Sequence, residues 1–289
     1  MNAKNKFQKL IIFFTILSIL AVSLSGCSSN EPDLLKEKVS SQINYLDSKI
    51  LSILNELNDI STNRYKVVSE KTNSNIKAEE NNNASPNAES EDNENNRTAS
   101  ENNTTDSILK MVPNNVLNRN NVINWTSIKM QVESIYSDWT TIILDLYKLN
   151  MNNDTILEFS TVLNTVIQYA KVEDKKNTIY SLTKLYSLIP KFGDHYLDKD
   201  YINILYTKTH VVMAYSMIED LKVNEIKASL QTAEEYFLNI VNNMDSTKNQ
   251  YMINKTFILL KEFQNSIDSN DIDLMLIKYK NLIQELNTL

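Results

Sequence analysis

Glycine is almost missing from this 289-residue chain: there are two, Gly26 and Gly193, alongside four prolines, one cysteine and two histidines. Hairpin turns, strand-rich folds and phosphate-cradling loops need residues that take positive φ without steric cost, so their scarcity excludes most β and α/β architectures. A substrate-binding protein of the usual transporter type, built on alternating strands and helices with glycine turns, is excluded on the same ground. A single cysteine, Cys27, leaves no internal disulfide and no cysteine-based metal site. With two histidines, His195 and His210, fifteen positions apart, a metal centre would need Asp194, Asp198 or Glu219 to converge on them, and the commoner outcome is a pair of unliganded imidazoles. No His-Glu-x-x-His, glycine-rich phosphate loop or nucleophile elbow occurs. The expectation is a protein without catalytic residues, cofactor or metal.

The N-terminus has the parts of an export signal. Lys4, Lys6 and Lys9 form a basic start, followed by an uncharged run from Leu10 to Leu24. That run is about 15 residues, roughly 22 Å as a helix, and too short for a permanent membrane span. It ends in Leu24-Ser25-Gly26-Cys27, which resembles the lipobox of bacterial lipoproteins. The resemblance implies cleavage after residue 26 and a diacylglyceryl group on the Cys27 thiol, placing the mature chain on the extracytoplasmic face of the cell membrane as a lipid-anchored protein. Loss of the three lysines takes the formal net charge from −7 to about −10. An acidic chain has no footprint for nucleic acid. Heavy use of Asn, Lys and Ile points to an AT-rich genome and a Gram-positive source.

The rest of the chain reads as all-α: an antiparallel bundle of about seven helices over 122–289, preceded by a heptad helix and an acidic linker. After a tether at 27–32, a helix over 33–60 carries Val39, Ile43, Leu46, Ile50, Ile53, Leu57 and Ile60 at alternating spacings of four and three. Such a seam either docks on the protein's own body or self-associates. Residues 61–121 read as a linker. Within it, 72–106 hold eight acidic residues against Lys77 and Arg97, one isoleucine and no aromatic residue. Such a stretch cannot bury enough apolar surface to offset chain ordering and is expected to be disordered. Its flanks, Arg64–Lys71 and Ile108–Val122, carry apolar residues such as Tyr65, Val67, Val68, Ile108, Leu109, Met111 and Val112 and are expected to form short extended or helical pieces.

From Asn124 the three-four spacing recurs: Trp125, Ile128, Val132, Ile135, Trp139, Ile142, Leu146 and Leu149 in the first helix, then Ile156 to Ala170, Ile179 to Ile189, Ile204 to Ile218, Val223 to Met244, Ile253 to Ile267 and Ile272 to Leu286. Asn152-Asn153-Asp154, Pro190 and the Gly193 loop mark breaks. A helical-repeat arrangement is the alternative to a bundle; Ala233–Phe237 resembles one helix of a tetratricopeptide repeat, but no repeating signature accompanies it. Asp145, one step off the Ile142/Leu146 seam, is expected on a solvated flank.

Aromatic residues are the remaining candidates for function. Trp125 and Trp139 share a helix face and either fill the core or line a cleft. Tyr186, Tyr196 and Tyr201, with Tyr180, Tyr206 and Tyr215, surround the Gly193 loop and suit either a contact surface or the core boundary. The runs Trp139–Asn150, Asn254-Lys255-Thr256 and Ile277–Leu282 resemble a group of uncharacterised clostridial lipoproteins, which implies the same address and helical body and no activity. The leading expectation is a non-catalytic interaction or scaffold lipoprotein of the cell envelope. Its partners would be the membrane, through Cys27, and an envelope protein or a second copy through residues 33–60. A helical small-ligand receptor is the alternative.

Overall fold

The computed structural model describes residues 31–60, 65–70, 108–113, 122–194, 196–243 and 250–289. The chain divides into two units, one of Met1–Thr62 with Val116–Leu289 and one of Asn63–Asn115. The larger unit is an all-α bundle. Its described helices are α1 (Glu31–Glu56), α2 (Trp125–Lys148), α3 (Asn153–Lys171), α4 (Lys175–Tyr186), α5 (Lys199–Ser216), α6 (Val223–Asn243), α7 (Gln250–Ser266) and α8 (Ile272–Leu286), with single 3-10 turns at Pro190–Phe192 and Ile267–Ser269.

Asx side chains start most of these helices. The side chains of Asn124, Asn152, Asp174, Asp198 and Asp271 each accept a hydrogen bond from a backbone N–H two or three residues on, which satisfies donors left free at a helix start. The helix ends show what glycine scarcity does. The chain turns through the left-handed region at Asp59, Asn150, Glu173, Leu221 and Asn270, all with φ near 50–60°. Only the two asparagines are comfortable there. Gly193 serves a different need, since its φ is −106°. A Cβ at this position would lie 2.5 Å from Leu197 Cδ1 and 2.7 Å from Ile202 Cδ1.

Consecutive helices pack as antiparallel neighbours, as their short loops require. Trp139 of α2 meets Phe159 of α3 with ring centroids 4.1 Å apart, and Phe192 of the 3-10 turn meets both at 5.5 Å. Further along, Tyr215 of α5 stacks on Tyr279 of α8 at 4.4 Å, and Phe263 of α7 closes on Tyr279 edge-on.

The first helix organises the bundle. Its seam residues Val39, Ile43, Leu46, Ile50 and Ile53 are at most 1 % exposed, with Leu51 and Leu54 buried beside them. The helix ends at Glu56 rather than near 60, and Leu57 and Ile60 are buried in the turn that follows. It packs on α2 and α4 and makes side-chain hydrogen bonds to α5 and α8. Of the two expectations for this seam, docking on the body is the one found. The face proposed for self-association is covered by the chain's own helices, so a second copy could use only the outer side of residues 33–60. Residues 31 and 32, expected in a tether, are already helical.

In the smaller unit, β1 (Tyr65–Glu70) pairs antiparallel with β2 (Ile108–Pro113), in register from Tyr65 opposite Pro113 to Glu70 opposite Ile108. The extended reading of these flanks therefore holds. The expected disorder at 72–106, the signal peptide, Cys27, His195 and Met244 lie outside the described residues.

Candidate functional site

The densest set of polar contacts in the bundle surrounds α1. Positions 44, 47, 54 and 55 lie along α1, and Asn58 lies in the turn just after it. Each meets a polar group from the body. Tyr201 donates its hydroxyl to Asn44 Oδ1, and Tyr186 donates to Asp47 Oδ1. Lys208 Nζ lies 2.8 Å from Asp47 Oδ2. Lower down, Tyr215 donates to the Leu54 carbonyl at 2.6 Å and accepts from Asn58 Nδ2 at 2.8 Å, while Tyr279 donates to Asn55 Oδ1 at 3.0 Å. Four tyrosines from α4, α5 and α8 thus turn their hydroxyls inward onto one helix.

The Asp47–Lys208 pair sits deep: each residue is 6 % exposed and Tyr186 is 1 %. A charge at such depth is tolerated when its partner and hydrogen bonds satisfy it. Here the ammonium and the Tyr186 hydroxyl take one carboxylate oxygen each. Burial, and then the Asp47 charge, drive the Tyr186 hydroxyl well above its ordinary titration range. The same two causes, in the same order, push Tyr201 up to about 12. These phenols are fixed donors at any physiological pH. These bonds tie α1 to α4 and α5 and fix its register.

A second contact set fixes the other side of α1. Gln42 Nε2 donates to Asp145 Oδ2 at 2.8 Å and Lys38 Nζ lies 2.7 Å from the same oxygen, with Lys148 at 3.6 Å from Oδ1. Asp145 is only 2 % exposed, which corrects its expected place on a solvated flank. The side chain lies at the α1–α2 contact, where position 145 continues the stripe of Asp138 and Ile142. Burial alone would raise its carboxyl. Hydrogen bonds from Lys38 and Gln42 and the charges of Lys38 and Lys148 outweigh burial and hold it below the ordinary value. Nearer the C-terminus of α1, Tyr45 donates to Asp138 and Gln131 donates to Glu56.

The aromatic candidates divide. Trp139 and Tyr186 are core residues, 2 % and 1 % exposed, and present no contact surface. Trp139 also donates through Nε1 to Ser160 Oγ at 2.8 Å. Trp125, Tyr196 and Tyr201 are half-buried at the edge of the core. Tyr206 bonds Asp194 at 2.8 Å and stacks on Tyr236, and Tyr180 bonds Asp220 within a surface network with Lys176 and Lys222. The tyrosines near the Gly193 loop therefore form no single surface. One set faces α1 and the other faces solvent.

Sequence reasoning passed over Asp47, Lys208, Asn55 and Tyr279 as a set. The signal for Lys208 was present: it continues the Ile204, Val211, Tyr215 stripe, where a lysine on an otherwise apolar face calls for a buried acid. Among the described residues no group of three His, Cys, Asp or Glu side chains is placed to hold a metal ion. No helix among them is long and apolar enough to cross a membrane. A cleft between α4 and the end of α5, lined by Lys176, Ile179, Ser216 and Asp220, encloses about 120 Å³. That is below the range of small-ligand pockets. No protein family, curated protein or solved structure matches the chain.

Proposed function

We propose that this chain is a lipid-anchored protein of the extracytoplasmic membrane face that works by binding another envelope protein, without catalysis. The observation that carries the reading is the continuity of anchor and body. Cys27 stands four residues before Glu31, and α1 is the helix on which the bundle is assembled. A lipid on Cys27 would therefore attach to the centre of the fold rather than to a loose tail. Two buried carboxylates, Asp47 and Asp145, are engaged in holding α1 to the body, which favours a structural role for them.

Two measurements test this. Labelled palmitate should appear on the native chain, and Cys27→Ser should abolish the label and release the protein from membranes; retention of the variant by an uncleaved signal would overturn the address. Crosslinking of the lipidated protein in its own membrane should then capture one stoichiometric envelope protein. A monomer with no partner, whose melting temperature rises with a peptide or wall fragment, would transfer the assignment to the receptor.

A further inference from the structure

The bundle has two ends, and chain geometry distinguishes them. Helices α1 and α2 run antiparallel: Glu56 meets Gln131, Tyr45 meets Asp138, and Lys38 meets Asp145. One end therefore holds the start of α1, the end of α2 and the start of α3. The Lys191–Glu158 pair, 3.6 Å apart, adds the Pro190–Phe192 turn to it. The opposite end holds Glu56, the start of α2 and the end of α3, joined by Lys129 and Glu173 at 2.7 Å. Both ends expose large apolar side chains: Leu34, Leu144, Tyr147 and Leu157 at the first, Met130 and Val172 at the second. Exposure does not choose between them.

Connectivity does. Residues 28–30, all that separate Cys27 from α1, span about 10 Å at full extension. Helix α1 then runs through Lys38 before its first buried residue, Val39, with Asp33, Leu34, Lys36, Glu37 and Lys38 exposed. Those eight residues add about 12 Å. The same rigid helix is gripped immediately afterwards at Asn44 and Asp47, so it cannot swivel independently of the body.

We propose that the end of the bundle carrying Leu34, Leu144, Tyr147 and Leu157 rests against the phospholipid bilayer that holds the Cys27 lipid. This rests on the lipoprotein reading above and adds an orientation to it. The apolar side chains at this end lie within reach of the headgroup layer, where leucine and the amphipathic ring of tyrosine are favourably placed. The Met130 and Val172 end points away. A long tether would let either end face the lipid; only three residues between Cys27 and α1 keep the lipid beside the end where α1 begins.

The test uses the full lipidated chain, whose Cys27 thiol is blocked, with one added cysteine at an exposed position. L144C and M130C are separated by about 21 Å along α2. Each carries a fluorophore, in vesicles of phosphatidylglycerol and phosphatidylethanolamine with a nitroxide on a fraction of the headgroups. The expected result is strong quenching at position 144, several-fold above that at 130. Equal quenching at both, or none at either while the lipidated protein sediments with vesicles, overturns the orientation and leaves the anchor standing. A mature chain that mass spectrometry shows to be unlipidated overturns both.

Discussion

Lys208 and Asp47 face each other at 2.8 Å inside the bundle, one from α5 and one from α1, 161 positions apart in the chain. Lys208 is the cation that balances the Asp47 carboxylate, whose other oxygen accepts from Tyr186. Lys208→Met should leave an unpaired buried carboxylate and cost about 3–5 kcal/mol. The double variant Asp47→Leu/Lys208→Met should recover most of that loss. Urea unfolding followed by circular dichroism reads both, and a double variant no better than the single would show that the pair matters through packing rather than charge.

Asp145 predicts an acid response. Its folded-state pKa lies below the ordinary 3.8, so below that value the unfolded chain takes up a proton more readily than the folded one. The resulting stabilisation is complete above 3.8 and disappears as the pH falls through the depressed folded value. Denaturant midpoints collected from neutral pH downward should show this as part of the acid limb, and Asp145→Asn should flatten that part. An acid limb identical in the variant would mean that Asp145 titrates normally.

At Leu221 the backbone turns with φ of 49°, and the side chain is 41 % exposed. The left-handed region costs a residue of this kind about 1–2 kcal/mol. Glycine removes that cost while giving up about 0.5–1 kcal/mol of chain entropy. Leu221→Gly should therefore stabilise the protein, by up to ~1 kcal/mol, and raise its melting temperature in a calorimetric scan. A fall would show that the leucine contacts outweigh the backbone strain.

These residues also show which features periodicity could reach. The seam from Val39 to Ile60 and the stripe from Ile128 to Leu146 were legible because burial on one face leaves a three-four pattern in the sequence. Pattern reading assumes one buried face per helix, however. Helix α1 is covered on two sides and α5 packs on both α4 and α6, so their second faces escaped notice. Asp47, Asp145 and Lys208 lie on stripes where a charge looks like the edge of the apolar face. Only the partner from a distant helix shows that it is enclosed. Tyr279 falls within the apolar seam from Ile272 to Leu286, but its hydroxyl role depends on Asn55, 224 positions away. A single sequence does not reveal pairings at that separation.

The bond between Tyr279 and Asn55 also has a consequence in time. The chain is made from its N-terminus, so among the described helices α1 precedes all the others, yet its seat includes α8, the last of them. Helices α2, α4 and α5 can cover its apolar face and bond Asp47 before that, whereas the partner of Asn55 arrives only with α8. A chain cut short before α8 would therefore lose not only that helix but also a contact on its first one, at Asn55.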